Sequence, residues 1–206
     1  MKRFRIILGF VLLLPFGVGV ADDASRSTSV ARLLHSNACP RCDLAQVNLA
    51  GKNLIGANLS GANLSGADLS GAMLIGADVH DAVLTGANLL RANISGANFE
   101  GSKLAKAQLD DTMASRTNLR LVTAAGASFR HAKLEYVNFE GADLKGATFE
   151  QADLYEVKFH FAELENVSFE GADLSAADFS DVNMTTVRTD TKTTCPAFLA
   201  GPCSWK

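Results

Sequence analysis

Large apolar residues return at every fifth position over most of this chain. Between Leu44 and Thr189 the positions spaced by five hold Leu, Phe, Ile, Val or Met, and only Ala114, Ala124 and Thr189 depart from this rule. A small residue, most often Ala, stands two positions before each such centre, and the residue between them is mostly polar. A helix needs an apolar period of 3.6 residues and a strand a period of 2. The pattern therefore predicts a chain that turns a corner every five residues and stacks its turns into a solenoid around a continuous core.

The number of sides follows from the second half of the chain, where the centres alternate strictly between Phe and Leu from Phe129 to Phe179. With four units per coil, residues 20 apart stack, so each Phe lies on another Phe and each Leu on another Leu. Three units per coil would mix the two sizes in every column. Close packing favours layers that repeat one solution, so we expect four sides. The glycines between residues 51 and 171 all fall two positions after a centre, where tolerance of positive φ suits a corner.

Residues 56–78 read GANLSGANLSGADLSGAMLIGAD. This stretch closely resembles the pentapeptide repeat family, whose unit is A(D/N)LxX, and the resemblance extends over residues 42–189. It implies an all-β fold, a right-handed quadrilateral β-helix. Thirty units give about 7 coils, or a rod roughly 35 Å long at a strand-like spacing of about 4.8 Å.

Ala114 and Ala124 predict a weak zone in this core, because a Leu-to-Ala gap typically costs about 2–5 kcal/mol. We expect a kink or an irregular turn there, with Met113, Leu121 or Val122 turned inward to fill the space.

The N-terminus has the pattern of a secretory signal peptide over residues 1–21. Three basic residues precede an apolar run, and small residues at Gly19–Ala21 fit a cleavage site. A membrane anchor is the rival interpretation, but the apolar run is short for a span of about 20 residues. Residues 22–41 are expected to form a linker and a short capping helix, with helix-starting residues at 27–29 and Val30, Leu33 and Leu34 on one face.

Four cysteines lie in two pairs at the two ends of the predicted rod. Export favours disulfides, and a disulfide needs Cα atoms within about 7 Å, so we expect Cys39–Cys42 and Cys195–Cys203. The second pair belongs to a C-terminal tail, residues 190–206. The CPRC sequence of the first pair also fits a thiol–disulfide redox motif, although no thioredoxin-like strand and helix pattern surrounds it. A zinc site shared by all four cysteines fails on the same distance argument.

The sequence offers no catalytic constellation. The four histidines are scattered over the register, the carboxylates occupy outward repeat positions, and the glycines form corners rather than a phosphate-binding loop. We therefore predict no enzymatic activity, no cofactor and no metal.

Charge and outward apolar residues instead single out two features, a column of like charge formed by Glu150, Glu170 and Asp190 and a set of apolar residues on one side. The net charge is −3, which becomes −6 when the predicted signal segment and its three basic residues are removed. Acidic residues concentrate after residue 140, and several outward apolar side chains share one side of the solenoid. The candidate interaction surface comprises Ile55, Met73, Ile75, Met113, Tyr136, Tyr155, Glu150 and Glu170.

These features predict a non-enzymatic exported solenoid that acts as a rigid scaffold for a protein partner, in a bacterial periplasm, an equivalent lumen or the extracellular space. We expect no nucleic-acid partner, no membrane association after cleavage, and a homodimer as an alternative occupant of the surface. Two other functions remain open. Some family members resemble DNA and bind a type II topoisomerase, which fits the acidic surface but not a signal peptide. The other is a thiol–disulfide protein that uses Cys39 and Cys42.

Overall fold

One helix and one long solenoid make up the part of the chain that the computed structural model describes, which is residues 19–196, 199–200 and 203. Helix α1 (Gly19–Ser36) is followed by a series of isolated parallel bridges from Ala38 to Thr194. Strand β1 (Thr194–Cys195) then pairs antiparallel with strand β2 (Leu199–Ala200). Most of the predicted signal segment, residues 1–18, lies outside the described residues.

Four five-residue units make one coil. The bridges join residues 20 apart, as in Asn58 with Asp78, until Asp173 pairs with Thr194 at the C-terminal end. The prediction of four sides is therefore confirmed. We name the sides by their centres, taken in steps of 20: side A runs from Leu54 to Leu174, side B from Leu59 to Phe179, side C from Leu44 to Met184, and side D from Leu49 to Phe169.

Each unit uses its backbone groups in the same way. In the unit centred on Leu59, the Leu59 N–H donates to the Asp78 carbonyl at 2.7 Å, and the Ala62 N–H closes the corner on the Leu59 carbonyl at 3.0 Å. The outward Asn58 side chain accepts the Ser60 N–H at 3.1 Å. Where the residue before a centre is Asn or Asp, it is therefore part of the turn, because its side chain accepts an N–H that the bridges leave unpaired.

Every fifth residue is a corner in the left-handed backbone region. Gly61 has φ of 62°, and Asp81, in the same column one coil further on, has φ of 56°. Glycine fills most corners up to Gly101, but later corners are mostly not glycine and include Leu121, Tyr136 and Phe161. A bulky side chain in this region is a true conformational outlier.

The core consists of the buried centres and the small residues before them. In the C-terminal half the predicted Phe columns are present. Rings stack along sides B and D at centroid distances of 4.8 to 5.4 Å. They also meet edge to face across the core at 5.6 to 6.1 Å. The result is one aromatic zigzag built from Phe129, Phe139, Phe149, Phe159, Phe169 and Phe179.

The predicted weak zone at Ala114 and Ala124 does not interrupt the register. The bridges pass through it with the usual step of 20, so the expected kink is absent. Of the three residues expected to turn inward, Val122 is buried as predicted, whereas Met113 and Leu121 are 46% and 53% exposed. The compensation lies in the small positions of the same coil, where Thr112, Thr117 and Val122 replace the usual Ala and are buried. Larger inner residues there offset the shortened centres.

Helix α1 starts earlier than the sequence predicted. It begins at Gly19, so residues 27–29 lie inside it, and the hydroxyls of Ser27 and Thr28 bond to the Ala24 carbonyl rather than cap an N-terminus. Leu33 is fully buried and Val30 packs on the core, but Leu34 is 48% exposed, so the expected three-residue face was wrong at Leu34. Asn37, with φ of 53°, ends the helix in the left-handed conformation typical of a C-cap.

The C-terminal end contains one extra residue. Asp173 pairs with Thr194, 21 positions on, and this shift places Cys195 over Leu174 at the head of the side A column, where it is 4% exposed. The Thr193 hydroxyl, also buried, donates to the Phe169 carbonyl at 3.1 Å. Pairing therefore extends beyond residue 189, the predicted end of the repeat, and at the other end it begins at Ala38 rather than at residue 42.

Candidate interaction surfaces

Side A carries the apolar residues that the sequence singled out. Ile55, Met73, Ile75, Met113 and Tyr136 have exposures between 38% and 46%, whereas Tyr155 is half-buried. The bridge register explains why they share a side, since Asn53 pairs with Met73 and Asn93 with Met113. The apolar stripe on side A, as we call these six residues, therefore consists of side chains that the backbone holds in fixed columns.

The stripe has two parts. Ile55, Met73 and Ile75 form an aliphatic cluster near the N-terminal end, and the polar coil with Asn93 and Ser95 separates it from the rest. The other part centres on Tyr136 and Tyr155.

Tyr136 and Tyr155 meet edge to face, with ring centroids 5.7 Å apart. The Arg116 guanidinium lies over the Tyr136 ring, with Cζ 5.1 Å from the centroid, in a cation–π arrangement. Together with Ser115, Glu135, Asp153 and Asp173, these residues line a shallow depression. The tyrosine cluster thus combines aromatic area with charge of both signs.

The carboxylates of this depression are not balanced. Partial burial raises the pKa of Asp153, and the neighbouring carboxylates of Glu135 and Asp173 raise it further. The Ser115 hydroxyl donates to Glu135 at 2.6 Å, and a hydrogen bond with the Glu156 carboxylate raises the pKa of Tyr155. This end of side A therefore has an excess of negative charge.

Glu150 and Glu170, the acidic members of the predicted surface, lie on side D and not on side A. Each carboxylate has a basic neighbour. Arg130 Nη2 is 3.5 Å from Glu150 Oε2, and Arg188 Nε is 3.9 Å from Glu170 Oε1. The Asp190 carboxylate above them accepts the Gly171 N–H at 2.9 Å. The column is therefore largely neutralised by intramolecular contacts, which weakens its value as a bare acidic surface.

Sequence reasoning missed a second exposed apolar feature. Phe161 and Leu121, at 59% and 53%, are the most exposed of the large apolar side chains in the described part of the chain. Both occupy the corner column between sides B and C, with φ of 58° and 56°. The signal was present in the sequence, because the five-residue register assigns both residues to corners, where glycine is common and bulky side chains are strained.

The Cys39–Cys42 disulfide lies beneath helix α1. The structure contains this bridge, with Cα atoms 5.4 Å apart, and a second one between Cys195 and Cys203. Cys39 is fully buried, with its Sγ 3.3 Å from the Ser29 carbonyl, and Arg32 Nη1 is 3.9 Å from Cys42 Sγ. An attacking thiolate would have to displace the helix to reach Cys39. The bridge therefore staples two residues of the first coil to each other, and α1 packs over it.

The remaining polar chemistry is local. His80 Nδ1 is 2.7 Å from Asp78, and this hydrogen bond raises the pKa of His80. Among the residues that the structure describes, no three His, Cys, Asp or Glu side chains are grouped so as to hold a metal ion. No helix within the same residues has the length and apolarity needed to cross a membrane.

The parallel bridges between residues 20 apart define a four-sided β-solenoid built from five-residue units. A family profile described as pentapeptide repeats matches in 8 copies, over residues 41–72, 62–101, 92–122, 125–160 and 152–188. The chain belongs to the pentapeptide repeat family. A comparison with curated protein sequences gives no significant match.

Solved structures of pentapeptide repeat proteins are similar to this chain. HetL from the cyanobacterium Nostoc sp. strain PCC 7120 is 25% identical over 80% of this chain and 87% of its own, with a TM-score of 0.35. Trypsin-treated QnrB1, a plasmid-mediated fluoroquinolone resistance protein, is 20% identical over 72% of this chain and 88% of its own, with a TM-score of 0.36. A protein of the Arabidopsis thaliana thylakoid lumen is 34% identical over 60% of this chain and 68% of its own, with a TM-score of 0.25.

Proposed function

We propose that this protein is an exported, non-enzymatic solenoid that acts as a rigid scaffold and docks a protein partner on the apolar stripe of side A. One observation carries the proposal: large apolar side chains are aligned and exposed on one side of a register-locked solenoid. Elsewhere in the solenoid most large apolar residues point inward, and Leu121 and Phe161 at one corner are exceptions. Exposed apolar clusters of this kind commonly mark protein contacts.

Rigidity makes the stripe suitable for recognition. Backbone hydrogen bonds to the coils on either side hold each unit, so Ile75 and Tyr155 keep their spacing without a partner. A preformed surface loses little conformational entropy on binding. We take the solenoid to be right-handed with about seven coils, as family membership implies.

Export is the second part of the proposal. The support is the basic and apolar N-terminal sequence with its small residues before Asp22, together with two disulfides in a chain of four cysteines. Disulfides of this kind persist in oxidising compartments. A periplasm or an equivalent lumen is the location that fits both features.

Site-specific photocrosslinking in intact cells tests the docking surface. A photoreactive amino acid at position 75 should give a discrete adduct with one partner protein, and the same amino acid at Thr85, exposed on the opposite side C, should not. The double variant Ile75→Ser with Tyr155→Ser should lose the partner while it keeps its folded circular dichroism spectrum. Equal crosslinking from both positions, or partner capture that survives the double variant, would remove the stripe from the proposal.

Export is tested separately by fractionation and N-terminal sequencing. We expect the mature chain in the exported fraction with Asp22 as its first residue. Full-length protein in the cytoplasm that inhibited DNA supercoiling would favour the topoisomerase-binding alternative.

A further inference from the structure

Leu121 and Phe161 each carry two unfavourable features at once. They are the most exposed large apolar side chains in the described residues, and their φ angles of 56° and 58° lie in the region that bulky residues rarely adopt. Glycine would remove both costs, and glycine does stand at the neighbouring corners of the same column, Gly101 and Gly141. Strain of this kind, combined with apolar exposure, is typical of a functional position.

The two side chains form one continuous feature. They lie in the same corner column two coils apart, about 10 Å at the usual strand spacing, with Gly141 between them. Leu121 Cδ2 lies only 2.8 Å from the point where a Cβ on Gly141 would stand, so Leu121 reaches over that glycine toward Phe161. The His160 ring lies against Phe161, with centroids 3.8 Å apart. We call Leu121, Gly141 and Phe161 the corner ridge.

Acidic groups border the corner ridge on both sides. On side B, Arg120 Nη1 is 3.4 Å from Glu100 Oε1 and Nη2 is 3.2 Å from Glu140 Oε1, so two carboxylates share one cation. On side C, Lys145 is paired with Glu163. A depression beside Phe161 is lined on side C by Lys145, Glu163, Glu165 and Asn183, and at the corner by Asp181. The rim therefore has more carboxylates than cations.

We propose that the corner ridge is a docking surface for a basic amphipathic segment of a partner protein. The apolar side chains of the partner segment pack on Leu121 and Phe161, and its Lys or Arg side chains pair with the carboxylates of the rim. Charge complementarity selects this occupant, because the same carboxylates repel an anionic lipid surface or an acidic protein. The corner ridge lies between sides B and C and shares no residue with the stripe on side A.

A synthetic peptide of alternating Lys and Leu, with a Glu and Leu peptide as its charge-reversed counterpart, tests the proposal by titration calorimetry. The basic peptide should bind, with an affinity that falls as salt rises, and the acidic peptide should not. The double variant Leu121→Gly with Phe161→Gly should weaken binding at least about tenfold, the scale of a hot-spot loss. Its melting temperature should stay unchanged or rise, since glycine suits these corners.

Three control variants make the result specific. Gln151→Gly changes an exposed polar corner residue on side D, at φ of 57°, and should leave peptide affinity unchanged. Glu165→Gln with Asp181→Asn keeps the corner ridge but should reduce the salt dependence of binding. The stripe variant Ile75→Ser with Tyr155→Ser should bind the peptide normally, so failure here and failure of the docking surface on side A are distinguishable.

Three results would overturn the proposal. The first is unchanged peptide affinity in the ridge double variant, and the second is equal binding of the acidic peptide. The third is self-association of the wild-type chain that the ridge double variant abolishes, because a second copy would then be the occupant. A lower melting temperature with unchanged affinity would show that Leu121 and Phe161 serve only the fold.

Discussion

The two halves of the solenoid obey one register with different side chains. In the N-terminal half, residues 38–101, the centres are mostly Leu and the corners mostly Gly, and outward positions carry Asn, Asp and Ser that bond to their own turns. In the C-terminal half, residues 102–194, Phe fills two of the four sides, and corners carry Arg, Tyr, Leu and Phe. Most of the ion pairs within the described residues also involve this half, such as Arg120 with Glu140.

Comparison of the two halves shows which side chains the fold requires and which it only tolerates. The N-terminal half shows that small corners and Leu centres are sufficient to build regular coils. Bulky corners and an excess of carboxylates in the C-terminal half add strain and charge repulsion that the fold does not need. The Phe zigzag supplies additional buried area in the same half, so the core with the larger side chains lies beneath the surface with the bulky corners and the additional charges.

The largest expected difference concerns the core. Phe149 contacts four other rings, the nearest being Phe129 at 4.8 Å. Phe149→Ala should lower the free energy of unfolding by about 3–5 kcal/mol. Leu69→Ala, on the same side D in the N-terminal half, should cost less, near the lower end of about 2–5 kcal/mol. Urea unfolding followed by circular dichroism measures both, and equal losses would mean that neither the larger ring volume nor the aromatic contacts of Phe149 add stability.

The junction between the halves gives the next effect. Because Thr112, Thr117 and Val122 already fill the coil that contains Ala114, Ala114→Leu should overpack it and cost about 1–3 kcal/mol. Adding Thr112→Ala should restore part of the loss. Stabilisation by Ala114→Leu alone, in the same urea measurement, would show that the coil contains an unfilled cavity.

Exchange of corner residues should give a smaller effect. A Cβ on Gly71 would meet nothing within 4 Å, so Gly71→Leu changes only the conformational energy at φ of 63°. We expect a loss of about 1–2 kcal/mol, the cost of a left-handed non-glycine residue. Gly71→Asn, which tolerates this region better, should cost less. If thermal unfolding shows no change for Gly71→Leu, the corners of the N-terminal half do not require glycine.

The smallest effect is a pH dependence at Asp153. Its pKa is raised in the folded state by burial and by Glu135 and Asp173, so protonation favours folding. The destabilisation from its charge is absent below the unfolded pKa of about 3.9 and appears as the pH rises through the raised value. Asp153→Asn should therefore stabilise the protein slightly at pH 7 and have no effect near pH 3. A stabilisation that persists at low pH would contradict the charge explanation.

The five-residue pattern predicted the path of the backbone well, because a buried centre in every unit leaves few other ways to fold the chain. Four sides and the Phe columns followed from side-chain size alone. The pattern failed where neighbouring units compensate one another, as when Thr112 and Thr117 offset Ala114. It also failed where a helix or an inserted residue breaks the period, at Gly19 and before Cys195. The neutralisation of Glu150 by Arg130 depends on side-chain reach across coils, which the sequence does not display.

The step of 20 between bridged residues determines how this chain can change in length. Its sequence repeats every five residues, but its sides repeat only after a full coil. Insertion of one pentapeptide would rotate everything beyond it by one side, so that Phe would meet Leu across the insertion and Arg120 would no longer lie between Glu100 and Glu140. Insertion of a whole coil preserves every column. Gene duplication could thus lengthen this protein in multiples of 20 residues, whereas a shorter insertion would shift each surface onto a different side.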